Sequence, residues 1–89
     1  MGTVPIPTIA VLLWQCCEGI ARIDDMHAPS ICTPFEQAQF TSALTTARQI
    51  AMARLAAHAK SLHTTVERLM ELHSLARKMS VGYLALESL

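Results

Sequence analysis

The sequence predicts an all-α fold, a small helical bundle of two or three antiparallel helices over about residues 8–23, 34–60 and 65–86, completed by dimerisation. Three observations carry this expectation. No glycine or proline interrupts the chain between Pro34 and Gly82, and that run is rich in the helix formers Ala, Leu, Met, Arg and Glu. Thr33-Pro34-Phe35-Glu36 supplies a full helix-start signal ahead of it. Apolar side chains then recur at spacings of three and four. Drawn as a single rod the run would reach about 70 Å. A compact chain of this length has a radius of gyration of only about 12 Å, so the run must fold back or reach a partner.

Residues 1–89 are read as one domain. Pro5 and Pro7 keep residues 1–7 as an extended arm, and Thr8 offers a side-chain oxygen to cap a helix from Ile9. At 100° per residue, Ile9, Leu12, Leu13, Cys16, Ile20 and Ile23 share a face, with Trp14 and Cys17 on its flanks. Gln15, Glu18 and Arg22 occupy a thin polar strip, and Glu18 and Arg22 stand at i,i+4, where they can pair. So narrow a strip asks for cover on most sides. Asp24 and Asp25 suit a helix C-terminus poorly and Pro29 forbids continuation, so residues 24–33 read as a loop.

The second helix starts at Pro34, with Thr33 as cap and Glu36 closing the capping box. Phe40, Leu44, Ala47, Ala51, Leu55, His58 and Leu62 line one face of it. From Leu55 a seven-residue repeat runs through Leu62, Leu69, Ala76 and Tyr83, accompanied by His58, Thr65, Leu72, Met79 and Leu86, with a coiled-coil period. Ser61, Thr64, Thr65 and Val66 are poor helix formers, and Thr64 with Glu67 repeats the capping-box spacing. A turn or kink is therefore expected at 61–64. The third helix is expected to run on to about 86, with Gly82 weakening it or capping its end.

Composition narrows the function. The chain is 52% hydrophobic and 16% charged, with seven basic and seven acidic side chains, so it is more apolar than most domains and has no net field to steer it toward nucleic acid. Cys16, Cys17 and Cys32 are odd in number and two are adjacent, which suits neither a disulfide framework nor a zinc site. They read as reduced, mostly buried thiols acting as small hydrophobes in a cytoplasmic protein. The N-terminus has no basic stretch ahead of its apolar residues, and Ile6 stands where a myristoylation signal needs Ser or Thr. No transmembrane segment or lipid anchor is expected, and one arginine on helix 1 argues against membrane-surface binding.

No catalytic, metal or cofactor site is expected. His58, His63 and His73 never stand at i,i+4, and no Glu-x-x-His occurs among the helices. There is neither a Gly-rich phosphate loop nor a nucleophile elbow. His58 lies mid-face on helix 2 as a core or interface histidine, where protonation would weaken a contact. His63, Glu67 and Glu71 form a solvated stripe.

One stretch carries a resemblance. Leu55-Ala56, Ala59, Thr64-Thr65-Val66 and Arg68-Leu69 resemble the helix-turn-helix pattern of DNA-binding regulators. That resemblance implies base or phosphate contacts from Lys60, Ser61, His63, Thr64 and Arg68. The turn departs from the pattern, with Lys60 replacing the usual glycine and Ser61 at an apolar position. Arg48, Arg54 and Lys60 are six residues apart and so form no basic stripe. Arg48-Gln49-Ile50-Ala51-Met52 and His63-Thr64-Thr65-Val66 are similar to fragments of bacterial replication-initiator DNA-binding domains, but they lack the intervening helix and are read as coincidence.

The function expected is therefore protein–protein interaction by a non-enzymatic regulator, inhibitor, chaperone or assembly factor that buries an apolar helix face against a second copy or another protein. Trp14, Phe40, Leu44, Leu55, His58, Leu62, Leu69, Leu72 and Met79 are the expected contacts. A helix-turn-helix regulator using residues 55–69 is the alternative.

Overall fold

The computed structural model describes residues 8–87 and residue 89, so the expected arm over 1–7 lies outside the described residues. They form three α-helices, α1 (Ile9–Asp25), α2 (Pro34–Ser61) and α3 (Val66–Met79), followed by a short 3-10 helix, Gly82–Leu86. No strand occurs among them.

Each start follows from a side-chain oxygen facing orphan backbone donors. Thr8 Oγ1 accepts from Val11 N at 3.3 Å and Thr65 Oγ1 from Arg68 N at 3.1 Å. At Thr33 the capping box closes in both directions, with Glu36 N donating to Thr33 Oγ1 and Thr33 N to Glu36 Oε1, each at 3.2 Å. Thr33 Oγ1 also donates to Glu36 Oε1 at 2.9 Å, and that side-chain bond, with the smaller help of the bond from Thr33 N, holds the Glu36 carboxyl below its usual range. The third helix is thus capped by Thr65, one residue after the Thr64 that the capping-box spacing suggests.

Helix ends depart further from expectation. Helix α1 runs two residues past Ile23, taking in Asp24 and Asp25. Arg22 lies in its last turn and Arg48 Nε donates to Asp24 Oδ1 at 2.8 Å, which offsets negative charge at this terminus. The expected turn at 61–64 is present. Thr64 N donates to Ala59 O at 2.9 Å and His63 N to Lys60 O at 3.2 Å, while His63 sits at φ 56°. This is a Schellman motif with histidine in the position glycine usually takes. The same motif ends α3, where Val81 N bonds to Ala76 O, Ser80 N to Arg77 O, and Ser80 has φ 56°. The expectation of one helix to about 86 is corrected accordingly. The chain reverses at Ser80, and Gly82, also left-handed at φ 59°, opens the 3-10 turn.

Packing follows from lengths. Helix α2 is about 42 Å long and α1 about 26 Å, so α1 can cover only part of it. Asp24 near the end of α1 meets Arg48, and Leu12 near its start shares a groove with His58, so the two helices run antiparallel. Leu13, Cys17 and Ile20 of α1, Leu55 and Ala59 of α2, Leu69 of α3 and Leu86 form the core. No residue from 34 to 50 is buried. The radius of gyration is 15.7 Å, well above the value of about 12 Å for a compact chain of this length.

Candidate functional site

Two regions stand out from the residues upward. The first is a polar cluster between α1 and α3. His73 is buried, and its Nε2 lies 2.8 Å from Glu18 Oε1. Arg77 Nε stands 3.8 Å from the same oxygen, and the Trp14 ring lies over the imidazole with centroids 4.5 Å apart. The expected Glu18–Arg22 pair is replaced by this one, because Glu18 faces α3 across the bundle. A buried imidazole needs a partner for its ring nitrogen, and Glu18 supplies it. Chemically the cluster ties two helices together: the imidazole is covered by Trp14 and its nitrogen is committed to Glu18.

Cys17 reinforces the same seam. Its Sγ donates to Leu69 O at 4.0 Å, and burial, aided by the neighbouring Cys16 and Glu18, pushes the thiol up from 9.0 to about 11. It remains a thiol and a poor nucleophile at neutral pH. All three cysteines are free. Among the described residues no group of three or more His, Cys, Asp or Glu could hold a metal ion, and no helix is long and apolar enough to cross a membrane.

The second region is apolar surface. Phe35 is 71% exposed and Ile50 50%, both within the 34–50 stretch of α2 in which no residue is buried. Ile31, in the loop before α2, is 93% exposed, and Met79 at the end of α3 is 63% exposed. Burying such side chains contributes about 1.5–3 kcal/mol each.

The residues expected at an interface divide. Leu55 and Leu69 are fully buried and serve the core. Trp14, Phe40, Leu44, His58, Leu62 and Leu72 are partly buried, with Trp14, Leu62 and Leu72 packed against the core cluster. Of this set only Met79 is exposed. His58 lines a groove with Leu12, Cys16, Ala51 and Arg54 rather than the core. Phe35 and Ile50 were absent from the expected set because they lie off the Phe40–Leu44 stripe that helical periodicity picks out.

The helix-turn-helix positions lie around the α2–α3 turn. Lys60, Ser61, His63 and Arg68 are exposed and Thr64 is partly covered. Arg68 Nη1 donates to Glu71 Oε1 at 2.8 Å, and Glu67 and Glu71 are exposed on the same helix. Two carboxylates beside the one arginine leave little positive potential for a phosphate backbone. Comparison of the chain with protein-family models, with curated proteins and with solved structures finds no match in any of the three.

Proposed function

We propose that this chain is a small, non-enzymatic interaction protein that acts by burying an exposed apolar helix face against a protein partner, as a regulator or assembly factor does. The observation that carries the reading is the stretch of α2 over residues 34–50. It is held by its cap and by the Arg48–Asp24 pair, contributes nothing to the core, and presents Phe35 and Ile50 to solvent. Surface hydrophobes scattered singly are ordinary; what supports the reading is that Phe35 and Ile50 stand on a helical stretch that places no residue in the core. The polar cluster at Glu18 and His73 supports the same reading, since its chemistry is spent on joining helices. The proposed setting is the cytoplasm, in keeping with three free thiols.

DNA binding draws less support, because Arg68 is engaged by Glu71 and formal net charge is zero. The test of the interaction reading pairs two measurements on the whole chain. Affinity capture from the native host compares the wild type with Phe35→Ser, whose helicity is first checked by circular dichroism. Light scattering follows mass against concentration. A partner or a second copy bound by the wild type and weakened in Phe35→Ser is expected. A wild type that stays monomeric and captures nothing the variant does not capture overturns the reading.

A further inference from the structure

The outer side of α2, away from Leu55 and Ala59, is unlike an ordinary solvent face. Residues at spacings of three, four and seven run down it from Glu36 through Ala43, Thr46, Ile50 and Ala53 to Lys60, and every one is exposed. The spacing drifts slowly round the helix, as a left-handed two-helix seam does. Between its ends this seam holds no charge. The two other cations in this stretch of α2 point elsewhere, Arg48 to Asp24 and Arg54 into the groove shared with α1. A solvent face normally carries charged side chains, so some 36 Å of helix without one asks for a cover.

The charges at the two ends say what covers it. Glu36 lies at the N-terminal end and Lys60 at the C-terminal end. A second copy laid antiparallel, with the two-fold axis at the level of Arg48, sets each Glu36 at the layer of Lys60 of the other copy. The same register sets Ala43 against Ala53 and Thr46 against Ile50. Laid parallel, it would bring Glu36 to Glu36 and Lys60 to Lys60. We propose that two copies of this chain pair antiparallel through the outer face of α2. The proposal rests on the interaction reading above and names its partner. The contact is isologous, so it closes at two copies. Small side chains at Ala43, Thr46 and Ala53 let the helices approach closely, and Ile50 supplies the large apolar contact near the centre.

The test uses the full chain in sedimentation velocity over a range of concentrations. Ala43 and Ala53 are exposed and outside the core and caps, so Glu or Lys there leaves the helix formable, which circular dichroism checks. The wild type is expected to dimerise reversibly. Ala43→Glu with Ala53→Glu faces carboxylates with carboxylates and is expected to raise the dissociation constant about a hundredfold or more. Ala43→Lys with Ala53→Glu restores opposite charges in the antiparallel register alone, and its dissociation constant is expected to match or fall below that of the wild type. A dimer indifferent to the double glutamate variant, or one that the Lys/Glu variant weakens equally, overturns the proposal and leaves the interaction reading standing. A wild type that is monomeric but captures a different protein does the same, whereas monomer with no capture overturns both.

Discussion

Cys17 meets α3 with a thiol that burial makes hard to ionise, its pKa standing at about 11 against 9.0 in the open chain. Folding raises this pKa, so the stability tied to the protonated thiol is complete below pH 9 and is lost as pH rises toward 11. Thermal unfolding measured from pH 9 to 11 is expected to show a steeper fall in the wild type than in Cys17→Ala, which lacks the titrating group; equal slopes would assign the fall to other groups. The reading of the three cysteines as mostly buried holds for Cys17, whereas Cys16 and Cys32 are only partly covered. The Glu18–His73 bond was not legible, since its residues are 55 apart in sequence. Helical periodicity tells which way a side chain points from its own helix, and Arg22 was the only cation that local spacing could offer Glu18.

At the scale of elements, starts were legible and stops were not. Thr8, and Thr33 with Glu36, are caps that act within four residues, so the sequence alone displays them. The turn after α2 was visible as well, through the run of Ser and Thr that weakens helix there. The device that ends α2 and α3 is a left-handed residue, and here it is His63 and Ser80 instead of glycine. Neither announces itself, and the seven-residue repeat carries on past Ser80 through Tyr83 and Leu86, so the third helix read as too long. Histidine in this conformation is strained by its Cβ. His63→Gly is therefore expected to stabilise the protein by roughly 0.5–1 kcal/mol, the relief of that strain exceeding the entropy glycine loses on folding. Chemical denaturation would register it as a higher midpoint at unchanged slope.

Over the whole molecule, an all-α bundle of three helices follows from pattern and punctuation, but the division between core and surface does not. Leu55 and Phe40 occupy the same broad face of α2 by periodicity. One is fully buried and the other only partly, because α1 is shorter than α2 and lies along its second half. That offset is a property of two lengths and one pairing, and no window of sequence contains it. It also explains the extents of 46 × 37 × 26 Å, which are those of an elongated body. The unmatched segment is what gives so small a chain apolar surface to spare.

A single helix whose two halves have such different company has two different lifetimes of closure. Amide hydrogens of Ala51–Ser61 sit over the core and are expected to exchange with deuterium only when the whole domain opens. Those from Gln37 to Ile50 answer to a helix segment that is nearly free-standing, and segments of this size are marginal in water. They are expected to exchange early, by fraying from the Thr33 end, at a rate that core substitutions leave unchanged. Mass-resolved exchange at low and high protein concentration reads this gradient directly: early exchange confined to dilute protein marks the segment as one that a second copy closes, and uniform protection along α2 would show that the helix opens as one unit.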